Sequence, residues 1–544
     1  VPVVVEPQKK VLDARYSDFN SPLAVGNNVH PLSAATLQYS QPAEPYEGFL
    51  RFALGSYPNS LVDFAYPLVN QPDLRIDAEV HHRAAYNAYF NTVNTAKISF
   101  DKNFKTFTFF GGLNGGFQGV RYYGLNVNGN NKVLNLKRLA ADSENMPLTE
   151  TDFTAVGRPA QTFTVGTLLN APNYAYLWRF GLNLGFRSAE NAENWRYAAQ
   201  LKYNTFHNTA GITEHSFHTN AGLSCLFAET DRLGADVDLY NGSYSATDSI
   251  AFNYYRNYAV LNLKPYLELN RIENLTLRLG LALTLPLSGE KGVKIAPDVR
   301  ADFKALPDLL NIYAGITGKY KVNTMNDLFY ENPYLAPDVR AKNAHTPFDI
   351  VAGIVLKPAA GLLFDVFVDY SYTSNQYYFV NKGFTGDTTI YTNRFDVVYD
   401  KSWVFAGGAR VSYTFNNKFN AELKGIFTKG KGEKEALPWN FPFYDVSFNT
   451  SWRVVPDLTL SLTGFYQAGI YAKIGNVSAN DLSADGVGVK MKNRFDLNLG
   501  AAYTYRNWLT FTAKANNLLN QQYDIFYGYE VQGFNFMGGV VLSF

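Results

Sequence analysis

Three things are scarce in this sequence: long apolar runs, cysteine and net charge. Nowhere do 18 hydrophobic residues follow one another, which excludes a membrane protein built from spanning helices. The single cysteine, Cys225, excludes an intramolecular disulfide and with it a small disulfide-stapled scaffold. Lys and Arg number 48 against 47 Asp and Glu, a net charge of +1. No basic field is present to displace counterions from a polyphosphate, so nucleic acid is not an expected partner. Catalytic signatures are lacking as well: there is no nucleotide-binding loop, triad spacing or zinc motif, and residues 289–294 lack the glycine pattern of a phosphate cradle. No enzyme activity, cofactor or resident metal is expected.

Aromatic residues are abundant. They make up 16% of the 544 residues, with 38 Tyr and 41 Phe, yet mean hydropathy is only −0.18. A chain this long would ordinarily divide into two or more soluble domains. The composition fits better with a wall of membrane-spanning strands, in which only alternate residues face lipid and both interfaces carry aromatic girdles.

The ordering of residues supports this reading. Leu275, Leu277, Leu279, Leu281, Leu283 and Leu285 alternate with Thr276, Arg278, Gly280, Ala282 and Thr284. One face is leucine throughout; the other is small or polar and includes an arginine. Phe495, Leu497, Leu499, Ala501, Tyr503 and Tyr505 repeat the pattern against Asp496, Asn498 and Thr504, with aromatics closing the row at both ends. Val366, Val368 and Tyr370 stand against Asp365 and Asp369, and Ile76, Ala78 and Val80 against Arg75, Asp77 and Glu79. Cys225 shares the parity of Phe217, Leu223 and Phe227, and is read as a small apolar residue on the lipid face.

Alternation alone would also suit a soluble sandwich. Turn lengths discriminate. Short links at 101–103, 416–417, 456–457 and 506–507 alternate with long polar stretches at 126–173 and 322–346, the pattern of a membrane barrel with short periplasmic turns and long outer loops. Residues 161–170 are placed in a loop, although they could form a strand. The expected fold is all-β: a transmembrane antiparallel barrel of about 22 strands over residues 48–544. Residues 1–47 contain Pro2, Pro7, Pro22, Pro31, Pro42 and Pro45 without sustained periodicity, and read as an extended periplasmic or lumenal segment. No leader precedes Val1, so the chain reads as the processed form of an exported protein.

The expected lumen-facing set is Arg75, Asp77, Glu79, Arg196, Lys202, Arg278, Asp365, Asp369, Glu422, Lys424 and Asp496. Mixed charges on an inner wall pair with one another or with water, and in an open pore would set permeation selectivity. Two clusters have further chemistry open to them. His207, Glu214, His215 and His218 gather around one hairpin and could bind a metal, though hydrophilic loop and lumen residues are the plainer account. Lys424, Lys429, Lys431 and Lys434 form a basic loop region that could touch lipopolysaccharide phosphates or be a solvated charge run.

The stretch 515–523, reading Ala-Asn-Asn-Leu-Leu-Asn-Gln-Gln-Tyr, resembles the motif that precedes the last strand of TonB-dependent receptors. The final segment alternates Phe534, Phe536, Val540, Leu542 and Phe544, and its terminal aromatic resembles the signal read by outer-membrane assembly machinery. Residues 48–57 look like the family's first barrel hairpin. The pattern is closest to receptor-like proteins of Bacteroidetes-type bacteria, which implies the outer membrane of a Gram-negative cell. Family transporters carry a far larger N-terminal plug domain than the 47 residues that precede the first expected strand, so a plug-less form is expected. Two functions stay open. One is solute transport as a channel or receptor. The other is a structural subunit of a multi-protein outer-membrane complex, sealed by residues 1–47 or by a partner. Expected contacts are membrane lipid, lipopolysaccharide and other outer-membrane or periplasmic proteins.

Overall fold

A strand that crosses lipid must pair both of its edges, because hydrocarbon offers no partner to a free N–H or C=O. The computed structural model meets this requirement by closing the sheet into a ring. It describes residues 48–86, 89–124, 174–189, 194–209, 211–246, 257–288, 292–336, 339–384, 390–416, 418–474 and 487–544. Residues 1–47 and the whole of the expected loop 126–173, with the segment 161–170 inside it, lie outside the described residues.

Among the described residues there are 26 strands and one helix, Met325–Glu331. Twenty-two strands form the wall, each antiparallel to its neighbours; the short strands Tyr471–Ile474, Val487–Lys490, Asp524–Phe526 and Tyr529–Glu530 belong to loops. The first strand, Phe49–Gly55, pairs with Asn59–Asn70 on one side and with the last strand, Asn535–Ser543, on the other. At this seam Phe52 lies opposite Val540, and a side chain at Gly539 would strike the Phe52 carbonyl oxygen and the Ala53 Cβ. Only glycine allows that approach.

The alternation read from sequence becomes the two faces of the wall. Leu279, Leu281, Val366, Val368, Leu499 and Tyr503 are all exposed apolar side chains, whereas their neighbours Ala282, Asp369 and Asp496 are buried. Exposed apolar rows of this kind are intelligible only against lipid. Cys225 takes the parity of the exposed Phe217 and Leu223.

At the end that carries Phe49 and Ser543, links are two to six residues long; at the other end they include residues 322–343, 433–443, 469–493 and 517–534. Of the short turns read from sequence, one moves. Residues 101–103 belong to the strand Asn91–Asn103, and the turn is 104–106, closed by a hydrogen bond from the Phe104 N–H to the Phe107 carbonyl and by stacking of the two rings at 4.6 Å. Polar residues remain in register there because the strand end has already left the lipid: Lys102 pairs with Asp73 of the adjacent turn. The link expected at 322–346 is shorter, since the next strand starts at Ala344.

Arginine at mid-bilayer on the outer face costs ~2–4 kcal/mol. Leu279→Arg is therefore expected to lower the yield of folded, heat-modifiable barrel in lipid vesicles sharply, and Thr276→Arg to fold like the parent chain. Equal yields would show that the faces are assigned the wrong way round.

Candidate functional site

The charged residues anticipated for the lumen lie on the face opposite the exposed apolar rows, and many meet a partner along or across the strands. Arg75 Nε lies 2.8 Å from Asp77, and Lys97 Nζ 3.5 Å from Glu79. Arg278 Nε reaches Asp298 at 3.0 Å, and its guanidinium covers the Tyr266 ring at 3.6 Å. Asp365 accepts from Tyr313 Oη at 3.0 Å and from Arg410 at 3.1 Å. Arg196 stands in register with Ser224, Lys202 with Asn183 and His218, Glu422 with Ser412 and Asn449, and Lys424 with Arg410 and Ser447. Two of the set are not open to a pore. Asp369 and Asp496 are only 1% and 2% exposed, the latter covered by the Tyr523 hydroxyl, which donates to it at 2.7 Å.

Both clusters singled out from sequence are divided by the pleat. His207 and His215 share the parity of exposed Leu201 and Phe217 and bond to Thr213 and Tyr203, each at 2.8 Å. Glu214 and His218 take the opposite face, His218 lying 3.1 Å from Asp238. Among the described residues no group of three or more His, Cys, Asp or Glu side chains could hold a metal ion. The expected basic loop region is likewise corrected. Lys424, Lys429 and Lys431 lie in the strand Phe419–Gly432; Lys429 and Lys431 stand opposite the exposed Phe405 and Trp403, Lys424 faces the other way, and Lys434 alone is in the loop.

The sequence did not reveal the loop roof. The fifth wall strand, Phe107–Arg121, and the sixteenth, Ile390–Phe415, stand half the ring apart, yet their upper ends meet in one buried cluster. Tyr122 Oη donates to the Leu335 carbonyl at 3.0 Å, and Leu335 bridges to Phe395 of the sixteenth strand. The rings of Tyr334 and Tyr529 stack at 3.7 Å, Phe395 and Phe526 lie 5.2 Å apart, and Phe206 meets Phe329 at 5.3 Å. Contacts between opposite sides of the ring require the loops to cross its mouth. Burial there pushes the Tyr334 phenol up to about 12, so it stays neutral in its apolar surroundings.

The helix Met325–Glu331 anchors this roof. Thr324 caps it: the Asp327 N–H donates to Thr324 Oγ1 at 3.0 Å, and the Thr324 N–H to Asp327 Oδ2 at 3.2 Å. The wall supplies the next contact. Glu214, 2% exposed, accepts from the Met325 N–H at 2.7 Å and the Asn326 N–H at 3.3 Å, while Tyr244 and Tyr258 donate to its other oxygen. Arg179 Nε donates to Asn326 Oδ1 at 2.6 Å. On the far side Arg494, 4% exposed, donates to the carbonyls of Asp524 and Ile525 at 2.9 and 2.8 Å. The Thr-x-x-Asp capping signature at 324–327 was legible in sequence; its docking onto Glu214 was not.

Removing a buried acceptor leaves its donors unsatisfied at a cost of ~1–3 kcal/mol. Glu214→Ala is expected to release the helix loop and to speed limited proteolysis within residues 322–343 by ~30-fold, about 2 kcal/mol. Tyr330→Ala, at a side chain 78% exposed, should leave the rate unchanged. Equal rates for both variants would remove Glu214 as the anchor.

No known family model matches the sequence, and no curated protein sequence does. Solved structures do resemble the fold. The siderophore receptor PirA from Acinetobacter baumannii aligns with a TM-score of 0.64 at 12% identity, over 91% of this chain and 80% of the receptor. The ferric-catecholate import receptor Fiu from E. coli gives 0.63 at 10%, over 93% and 82%, and the ferripyoverdine receptor of Pseudomonas aeruginosa 0.61 at 12%, over 93% and 72%. With its apolar outer face, the barrel belongs in the outer membrane. At these identities the likeness concerns the fold: the chain is a closed 22-strand antiparallel barrel with the architecture of TonB-dependent receptor barrels.

Proposed function

We propose that this chain is a receptor-type transport barrel, in which the loop roof is the gate between the exterior and a charged lumen. The observation that carries the reading is the junction of opposite sides of the ring through residues 322–343, held by Glu214 from the wall. A solute that displaced this loop would find beneath it a wall of alternating acidic and basic groups, suited to polar or charged cargo rather than to apolar molecules. By their own descriptions two of the structural neighbours are a siderophore receptor and a ferric-catecholate import receptor, which favours a sizeable polar solute here. Transport through the barrel is the function we assign; the solute's identity is a separate matter.

A second reading has its own support. The roof has a buried apolar core, with Leu328, Leu335 and Phe395 fully buried, and a barrel sealed in this way could serve as a structural subunit of an outer-membrane complex. The two readings diverge in planar bilayers. Replacing residues 325–336 with a Gly-Ser linker is expected to convert a closed or low-conductance barrel into one with clear single-channel steps, and to let a large hydrophilic antibiotic enter cells. An unchanged conductance together with stoichiometric co-purification of another outer-membrane protein would favour the structural reading and overturn transport.

We assign Phe544 as part of the assembly signal. Its ring lies 5.6 Å from Tyr66 and 6.5 Å from Phe64, 49% exposed, and its carbonyl accepts from the Gly48 N–H at 2.8 Å. Phe544→Asp should lower surface abundance while leaving synthesis and export intact; unchanged abundance would remove the assignment.

A further inference from the structure

Along the inner wall a cation is often answered by a carboxylate on the next strand, as in Arg278 with Asp298 and Arg410 with Asp365. The seam at which the ring closes departs from this. Arg51, Arg83 and Lys514, on the first, third and twenty-first wall strands, all take the parity opposite to the exposed Phe52, Val80 and Phe511 and so face the lumen. Arg51 Nε lies 2.9 Å from Asp63, but the same buried carboxylate also takes His81 Nδ1 at 2.9 Å. Glu79, the next inward acid on the third strand, is held by Lys97. Neither Arg83 nor Lys514 makes an ion pair or a side-chain hydrogen bond among the described residues.

The register explains why no acid answers them. The row of Arg83 crosses the seam as Leu61, Ala53, Gly539 and Thr512. The row above it, which ends on Lys514, reads Ala85, Asn59, Gly55 and Met537. Neither row holds a carboxylate, and the residues at the centre, Ala53, Gly55 and Gly539, form a floor of the smallest side chains. Across it the charges act on one another: Arg83 and Arg51 both repel the Lys514 ammonium. Lys514 is half-buried, so water screens this repulsion only in part. At the upper edge the amides of Asn59 and Gln532 bond reciprocally at 2.9 and 3.2 Å, which ties residues 517–534 to the seam and places the floor beneath the roof.

We propose that the inner face of the seam is a binding site for a polyanionic solute, one that carries two or more phosphate or carboxylate groups. The Arg83 guanidinium and the Lys514 ammonium hold it, and Arg51 adds its field from beside Asp63. Three cations against the single Asp63 carboxylate leave two positive charges, which sets the least charge the ligand must bring. Guanidinium forks match phosphate and carboxylate oxygens in geometry, and the ammonium acts as a point charge beside them. The backbones of Arg83 and Lys514 lie four strands apart, ~19 Å at ~4.8 Å per strand. Their long side chains shorten that span, but an ion with a single charged centre would not bridge it. This assignment rests on the transport reading and deepens it by giving the class of cargo.

The test is calorimetric titration of the full chain with inorganic tripolyphosphate, in non-ionic detergent at constant ionic strength, with heat-modifiability as the check on folding. Arg83→Gln and Lys514→Gln should each weaken binding at least about tenfold, ~1.4 kcal/mol. Because each substitution relieves repulsion, neither variant should melt below the parent chain when no ligand is present. Lys304→Gln is the control: Lys304 is an exposed, inward-facing cation on the twelfth strand, far from the seam, and its loss should leave the affinity unchanged. Equal affinity in all four proteins, an equal loss in Lys304→Gln, or no binding by either the parent or the barrel with residues 325–336 replaced would overturn the site. The site and the transport reading fail separately. Conductance that appears on roof replacement with an anion selectivity untouched by Lys514→Gln would sink the site and leave transport standing, whereas tripolyphosphate bound by a barrel that never conducts would support the site and sink transport.

Discussion

The backbone's need for a partner at every point within lipid is the constraint on which the rest of this structure depends. An open sheet would leave two edges of unpaired N–H and C=O groups in hydrocarbon, each costing several kcal/mol. The pairing of Phe49–Gly55 with Asn535–Ser543 removes both edges at once. It joins the two ends of the barrel segment, and it places Gly539 of the final strand where no other residue fits.

Closure fixes the chemistry of the two faces. With the pleat alternating at every residue, a single parity meets lipid around the whole circumference, and charges at hydrocarbon depth must take the other. The ion pairs of Arg278 with Asp298 and of Arg410 with Asp365 follow from that. In both pairs the two charges sit on neighbouring strands within reach of each other, and pairing across strands relieves the cost of turning them from bulk water. The same logic explains Lys429 and Lys431, which occupy the lipid parity near the loop end: they lie beside Phe405 and Trp403, where the strand emerges among headgroups and an exposed ammonium is no longer excluded.

Function in this fold rests on what crosses the mouth. A ring of 22 strands is too wide for wall side chains to fill, so its permeability is set by loops. The roof spans the mouth because aromatic and aliphatic residues from several separate loops and strand ends share one buried cluster. Polar anchors fix it to the wall on both sides, Glu214 and Arg179 under the helix and Arg494 under residues 524–525. Such an assembly has few ways to open gradually. In the transport reading proposed above, releasing one anchor would expose apolar surface held by the others, as in a gate with two states rather than a flexible flap.

The sequence by itself determined the wall. The leucine row 275–285, the aromatic-ended row 495–505 and the alternation of long and short links specified an even-stranded membrane barrel, since period-two patterning is set locally by the pleat and can be read from a few neighbouring residues. It also carried the parity that separates Glu214 and His218 from His207 and His215, although proximity along the chain suggested a single cluster. The turn at 104–106 was missed because polar residues at a strand end resemble a turn when the edge of the lipid is not known. Only the tertiary structure decided the roof and the side-chain neighbours around the ring. Tyr122 and Phe395 are joined because ring closure brings the fifth and sixteenth strands to opposite sides of one opening, and Ala96, Gly115 and Phe180 form one row only through the register of separate strand pairs. Those neighbours are set by register around a closed ring, a non-local quantity that no stretch of sequence contains.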